Sequence, residues 1–224
     1  MHKRAPVVIM SDQPAVELHT TLTRGLEQLG MDVPAPQRRQ LIDFVLLLEK
    51  WNRVFNLTAV KDPVQMVIRH ILDSLAVLPY IRGARVLDVG SGAGLPGIPL
   101  AIVKPEWRYT LLDKQRKKTR FMLQAAADLG LTQVEVVYGA VETFSPADLF
   151  DTVVARAFAS LYHMVDSCGR LCAPHGRLLA MKGKPMPEDL RALPPGYRCV
   201  EDVQLQVPGL NAARSLVVVT PVGP

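Results

Sequence analysis

Residues 86–99 read Val-Leu-Asp-Val-Gly-Ser-Gly-Ala-Gly-Leu-Pro-Gly-Ile-Pro. Few stretches of the chain are so poor in side chains and so close to an acid. Gly90, Gly92 and Gly94 let the backbone bend sharply and approach a ligand where a Cβ would intrude. Gly92, Gly94 and Gly97 also satisfy the GxGxxG spacing, so a dinucleotide and a different adenosyl cofactor both remain open at this point. Asp88, two residues before Gly90, weighs between them. A carboxylate aimed into the crevice is unhelpful beside a pyrophosphate, but it suits a cationic sulfonium bearing an α-amino group. S-adenosylmethionine is such a ligand, and it has no phosphate to neutralise. Asp113 sits 19 residues after Gly94, the offset of a ribose-binding acid in either cofactor. The methyl donor is the reading adopted. An NAD-dependent oxidoreductase on a related fold is the alternative. A non-catalytic RNA-binding module with a degenerate pocket is a third reading, and Asp88, Gly90, Asp113 and Arg156 count against it.

The elements that must hold these residues follow from apolar spacing. Leu18, Leu22, Leu26 and Leu29 form a helical stripe closed by Gly30. Leu41, Phe44, Val45, Leu48 and Trp51 form a second, and residues 52–61 read as a connector. Asp62-Pro63 supplies an N-cap and a proline at N1 for a third helix through Leu78, stopped by Pro79. After Gly83 short apolar runs alternate with helical stretches. The strands are expected at 85–89, 109–112, 134–138, 152–155 and 177–181, with helices from about 95, over 114–129, near 144–149 and over 158–173. Residues 185–193 read as a proline-punctuated helix or loop. Residues 197–207 and 215–220 read as a terminal antiparallel hairpin. This series predicts an α/β, Rossmann-like, doubly wound, mostly parallel sheet, with its ligand crevice at the carboxyl ends of the strands. Residues 1–82 are expected to be a loose tail and helical extension packed on a catalytic domain over 83–224.

The chain has 224 residues, 49% hydrophobic and 21% charged, which is the balance of a globular domain. No apolar run approaches the ~18 residues that cross a bilayer, and the apolar stretch Val7 to Met10 is too short for a secretory leader. A cytoplasmic protein with no membrane partner is expected. Cys168 and Cys172, with His163 and His175 nearby, have a spacing that metal ligands can use. Their apolar setting and the lack of CxxC make core thiols the adopted reading, and no metal is expected. The net charge of +5 suits an anionic partner. Five cations, Lys114, Arg116, Lys117, Lys118 and Arg120, fall within seven positions. They are either a solvated helix face or a phosphate-contacting patch.

Several segments together resemble the glucose-inhibited division protein B family, the type G methyltransferases of small-subunit ribosomal RNA. They are Lys50-Trp-Asn-Arg-Val-Phe-Asn-Leu-Thr-Ala59, Arg69-His-Ile-Leu-Asp-Ser-Leu75, Leu87-Asp-Val-Gly-Ser-Gly-Ala-Gly-Leu-Pro-Gly-Ile-Pro-Leu100, Leu111-Leu-Asp113 with Lys117-Lys118, Ala155-Arg-Ala-Phe-Ala-Ser160 and Lys182-Gly183. They run in family order from about residue 37 onward. The resemblance implies a class I S-adenosylmethionine-dependent methyltransferase that modifies guanine N7 in 16S ribosomal RNA and releases S-adenosyl-L-homocysteine. It implies 16S rRNA or the 30S subunit as partner and cofactor contacts at Gly90, Leu95, Val141, Glu142 and Arg156. Asp88, Gly92, Gly94 and Asp113 complete the expected cofactor set, and the chain is expected to act as a monomer.

Guanine N7 carries a free lone pair and no hydrogen, so its methylation needs alignment and no general base. Arg156 is the candidate catalytic residue, because a guanidinium fork suits a purine edge or a phosphate. Asn56, His70, Lys117, Lys118, Lys182 and Arg214 are candidate RNA contacts, although a connector asparagine more often caps a helix and a histidine in an Arg-His-x-x-Asp turn is more often a structural hydrogen-bonding residue; Trp51 and Phe55 read as core. The base must arrive unstacked or extruded. Phosphate contacts make affinity fall with salt, with a slope of about −0.7 to −0.9 per contact. Replacing Lys117 and Lys118 together by Glu is therefore expected to flatten the salt dependence of RNA affinity and to leave cofactor affinity intact. An unchanged slope would place this face away from RNA.

Overall fold

Four helical stretches precede the first strand because the apolar residues recur at turns of a helix rather than at alternate positions. The computed structural model describes residues 13–156, 158, 160–183 and 193–222. Helix α1 (Gln13–Gln28) buries Leu18, Leu22 and Leu26. It closes in a Schellman turn: Gly30 has φ +67°, and the Met31 amide reaches back to Leu26 O at 2.9 Å. Helix α2 (Ala35–Phe55) buries Leu41, Phe44, Val45 and Leu48 and ends where Asn56 turns left-handed. Helix α3 (Pro63–Met66) is capped by Asp62, whose carboxylate accepts from the Gln65 amide at 2.8 Å. The spacing predicts one regular helix from here to Leu78. Instead the chain widens into a π-helical turn (Val67–Leu72) before α4 (Asp73–Leu75). Met66, Val67, Ile68, Ile71, Leu72 and Leu75 are all buried, so the segment is enclosed on nearly every side.

The seven-stranded sheet consists of β1 (Arg85–Val89), β2 (Arg108–Asp113), β3 (Val134–Tyr138), β4 (Phe150–Arg156), β5 (Cys172–Lys182), β6 (Tyr197–Gln204) and β7 (Ser215–Pro221). Its order is β3-β2-β1-β4-β5-β7-β6, with the first five strands parallel and β7 antiparallel to both neighbours. Helices α5 (Gly97–Val103) and α6 (Arg116–Asp128) cover one face, and α7 (Leu161–Cys168) the other. The pleat divides β1 accordingly. Val86 joins the core under the N-terminal helices, α5 and α6, and Leu87 and Val89 join the core under α7. The chain leaves β1 toward β2 and β3 and returns on its other side as β4 and β5, so strand order reverses between β1 and β4. Loops part there and leave a crevice at the carboxyl ends.

Three expectations change. No helix forms at 144–149, where Pro146 disfavours helical geometry just before it and a single 3-10 turn at Val141–Thr143 suffices. The helix expected over 158–173 shortens to α7, because Ser160 caps it and accepts from the His163 amide at 3.2 Å. Strand β5 starts five residues early, at Cys172. Of the tail expected over 1–14, Gln13 and Pro14 already belong to α1 and the rest lies outside the described residues, as does most of the segment 185–193.

The helices before β1 do not form a separate core. Leu22, Leu41, Phe44, Val45 and Leu75 belong to one apolar cluster with Val86, Leu111, Phe121, Val154 and Leu179. The Phe44 and Phe121 rings lie 6.1 Å apart, and Trp51 meets Phe121 edge-on at 5.6 Å. Trp51 is thus a packing residue, whereas Phe55 stacks on it at 5.1 Å with one side in solvent. Phe44→Ala should cost about 3–5 kcal/mol and shift one thermal transition seen alike by tryptophan fluorescence and far-ultraviolet dichroism. Two separated transitions would mean that the helices fold as their own unit.

Candidate active site

The cleft at the strand carboxyl ends has a volume of about 400 Å³. Val89 and Gly90 enter it at the end of β1, Leu112, Asp113, Gln115 and Lys118 at and beyond the end of β2, Gly139 to Glu142 after β3, and Arg156 and Phe158 at and beyond the end of β4. Four segments far apart in sequence meet there because parallel strands bring all their carboxyl ends to one edge.

The glycine loop is held from below by β2. The amides of Gly90 and Ser91 donate to Leu112 O at 2.8 and 3.2 Å. The Gly92 amide donates to Asp113 Oδ2 and the Gln115 amide to Asp113 Oδ1, both at 2.8 Å. Each carboxylate oxygen still has a free lone pair, so Asp113 can take two more donors, such as a ribose diol. Gly90 (φ +69°) has no heavy atom within 4 Å of where a Cβ would stand, which leaves its cleft side open to a ligand. Gly94 and Gly97 are glycines for a different reason. A Cβ at Gly94 would strike Ile98, and one at Gly97 would strike Leu111. Gly92, Gly94 and Leu95 do not line the cleft, and the Leu95 side chain lies in the core.

Asp88 requires a correction. Its carboxylate does not face the cleft. The pleat sends it with Val86 toward α5, where Oδ2 accepts from the Gly97 amide at 2.9 Å and Oδ1 is buried without a partner. Burial pushes its carboxyl up to about 7, although the Gly97 bond opposes the rise. Asp88 therefore ties the loop to the first turn of α5 and is not a berth for a cation.

Val141 and Glu142 do line the cleft, and an arginine invisible to sequence reasoning shapes their turn. Arg170 donates through Nη2 to the carbonyls of Val141 (2.6 Å), Phe144 (2.8 Å) and Glu142 (3.3 Å). Nothing in the spacing around residue 170 signals this.

Arg156 reaches the cleft from the end of β4, and its Nη1 lies 3.3 Å from Asp73 Oδ2. Arg214 meets the other oxygen of Asp73 through Nε at 2.9 Å. Asp73, buried in the helical extension, belongs to the site although its spacing gave no reason to single it out.

The remaining candidates scatter. His70 is buried, and burial, followed by the Arg156 charge, lowers its imidazole to about 4. Nδ1–H must donate to Arg69 O, so Nε2 accepts from the Thr58 hydroxyl at 2.9 Å. His70 is a neutral brace under the connector, the structural role its Arg-His-x-x-Asp turn favours, and the RNA-contact candidate is corrected. Asn56 is exposed and serves as the left-handed C-cap of α2. The connector itself is held by buried Asn52, which accepts from the Thr58 amide and donates to Val60 O. Lys117 Nζ caps α2 by donating to Phe55 O at 3.1 Å, whereas Lys118 lines the cleft. Charge reversal at Lys118 therefore acts on the cleft as well as on any RNA face, against the expectation that the two effects separate. Lys182 ends β5 opposite Ser215. Among the described residues no three His, Cys, Asp or Glu side chains gather as metal ligands, and burial pushes Cys168 and Cys172 up to about 12. No described helix is long and apolar enough to cross a membrane.

The strand order, the antiparallel β7 and the cleft define a Rossmann-like class I S-adenosylmethionine-dependent methyltransferase fold. Solved structures agree. A SAM dependent methyltransferase from Aquifex aeolicus aligns with TM-score 0.52 at 20% identity, covering 66% of this chain and 90% of that one. The glycopeptide N-methyltransferase MtfA, complexed with S-adenosyl-L-homocysteine, aligns with TM-score 0.54 at 14% identity, covering 68% and 87%. The family model for rRNA small subunit methyltransferase G matches residues 37–217. The ribosomal RNA small subunit methyltransferase G of Nitrosococcus oceani is 48% identical over 200 residues, 89% of this chain and 94% of that protein. Its counterpart in Laribacter hongkongensis is 48% identical over 202 residues, 90% of this chain and 98% of that protein. This chain belongs to the rRNA small subunit methyltransferase G family. The nicotinamide and non-catalytic alternatives are thereby set aside.

Two buried groups pull stability in opposite directions with pH. The fold favours the neutral form of Asp88, so that contribution is whole below its ordinary value of 3.8 and is lost as pH rises through about 7. The fold also favours neutral His70, whose contribution is whole above 6.5 and is lost as pH falls through about 4. In thermal melts, Asp88→Asn should therefore gain on the wild-type chain between about pH 4 and about pH 7. Parallel pH profiles would exclude a neutral Asp88 in the fold.

Proposed function

We propose that this protein transfers the methyl group of S-adenosylmethionine to guanine N7 of 16S ribosomal RNA, with S-adenosyl-L-homocysteine as the second product. The observation that carries the reading is the glycine loop at the switch point, pinned by an Asp113 that keeps two acceptors free, in a chain of this family. The names of the curated relatives support ribosomal RNA as substrate. Naked 16S rRNA and the 30S subunit share the chemistry that the site would read. Residues 83–224 form the methyltransferase domain in this reading, with 1–82 as its extension, and the protein works as a cytoplasmic monomer.

The residues present fit the cofactor. Asp113 would hold the ribose hydroxyls, Val141 would pack on the adenine, and backbone beside Glu142 would read its edge. The open side of Gly90 leaves room for close approach of the rest of the molecule. When bound, the cofactor supplies an electrophilic methyl on a sulfonium. The protein's own task is orientation, since N7 offers its lone pair without losing a proton. Arg156 borders the cleft with donors suited to guanine O6 or a neighbouring phosphate. A cation near N7 also disfavours positive charge there, so Arg156 acts chiefly in orienting the base.

Incubation with labelled methyl donor and 30S particles from cells lacking the enzyme should label one guanine of 16S rRNA at N7. Label on another base, or none, would end this reading. Asp113→Ala removes both the Gly92 anchor and the ribose acceptors. It should weaken S-adenosyl-L-homocysteine binding by about tenfold or more in calorimetry, the scale of one or two lost charge-assisted hydrogen bonds.

A further inference from the structure

Asp73 is 1% exposed, and neither of its oxygens lies in the cofactor cleft. Both are engaged by arginines that the chain delivers from far away: Arg156, 83 residues on, and Arg214, 141 residues on. The arginine side chains stay 29% and 23% exposed. A carboxylate buried only to glue the helical extension to the sheet would be served as well by apolar packing, because desolvation offsets much of the attraction. The arrangement does something that apolar packing cannot. Two guanidiniums repel each other, and an acid between them draws Arg214 to the Arg156 that lines the cleft. His70 beside them is neutral and adds no charge, so the cluster carries a net charge of about +1 by this count of one acid and two cations.

The donor inventory shows which way the cluster works. Arg156 uses Nη1 on Asp73, and Arg214 uses Nε on Asp73 and Nη1 on Ala213 O. Each guanidinium has five N–H groups in a planar fork, so both keep donors on the side away from the acid. A ligand with anionic oxygens meets such a pair bidentately.

We propose that Asp73 is a positioning residue that sets Arg156 and Arg214 as one two-pronged cationic site for a phosphate of the RNA strand bearing the target base. This rests on the RNA methyltransferase reading above. Asp73 touches neither cofactor nor substrate and acts only through the two arginines. The π-helical turn just before it places its carboxylate from the N-terminal extension, which gives that extension a part in substrate recognition.

The test is a mutant cycle in the full chain with Asp73→Asn, Arg214→Gln and the double variant, read with a 16S rRNA transcript and with S-adenosyl-L-homocysteine. Asp73→Asn should raise KM for RNA about tenfold or more while S-adenosyl-L-homocysteine affinity stays within about twofold. The double variant should lose clearly less than the two single losses combined, because residues acting as one unit do not add, while release of Arg156 keeps it at or somewhat below Arg214→Gln alone. Additive losses, or cofactor affinity falling in step with RNA affinity, overturn the proposal. Where Asp73→Asn does not fold, Arg214→Lys replaces it: the charge stays but the Nε grip is gone. RNA affinity should then drop at an unchanged salt slope, and wild-type affinity overturns the proposal. If the wild-type chain methylates no rRNA, the functional reading fails separately. The same cycle read in transcript affinity then decides, with additive losses again fatal to the clamp.

Discussion

Two backbone amides, from Gly92 and Gln115, converge on the carboxylate of Asp113, and the shape of the cleft follows from that convergence. A loop of three left-handed glycines has little intrinsic preference for one conformation. Here it is bound to the neighbouring strand at Leu112 O and Asp113, and to α5 through Asp88 and the Gly97 amide. The loop is thus preorganised by two acids on adjacent strands, one facing the cleft and one facing the core. Only the cleft-side acid keeps lone pairs that a ligand can reach. Such preorganisation lowers the ordering cost that a flexible loop would impose on binding.

The opposite wall is built by a different device. The turn after β3 carries few side chains that fix a geometry, and Arg170 gathers three of its carbonyls instead. A guanidinium suits this work because its donors are planar and always charged. The rim at β4 is set from outside the sheet domain, where Asp73 holds Arg156 and Arg214. The N-terminal helices therefore cannot be regarded as a loose appendage. They share the core with the sheet and supply the acid that disposes the cations of the rim.

Much of the fold was legible because burial imposes simple periods. Parallel strands covered on both faces read as short apolar runs, and Asp62-Pro63 marked a helix start that the structure reproduces to the residue. Less legible were elements decided by competition. The π-helical turn at Val67–Leu72 lies in a segment enclosed on nearly every side, so no amphipathic stripe could reveal it. The absence of a helix at 144–149 depended on Pro146 and on the short path from β3 to β4. Within the site, Gly90 and Asp113 stood out in the glycine pattern and its offset, Val141, Glu142 and Arg156 came from the family resemblance, and all five line the cleft. Asp88 was misread because its direction depends on the pleat and on where α5 packs. The structural role of His70 was legible in its helix turn, but its partner was not, because one-dimensional spacing does not show that Thr58 lies against its ring.

The sequence by itself determined the strand and helix types, the switch-point position of the glycine loop and the family, since all of these are written in local residue choice and short-range order. The tertiary structure alone decided which acid faces the cleft, which lysine caps a helix and which lines the cleft, and which arginines share a carboxylate. Those outcomes depend on groups up to 141 residues apart meeting in a medium where an unpaired charge is costly. No local pattern encodes such a meeting, because it exists only once the sheet has ordered its strands.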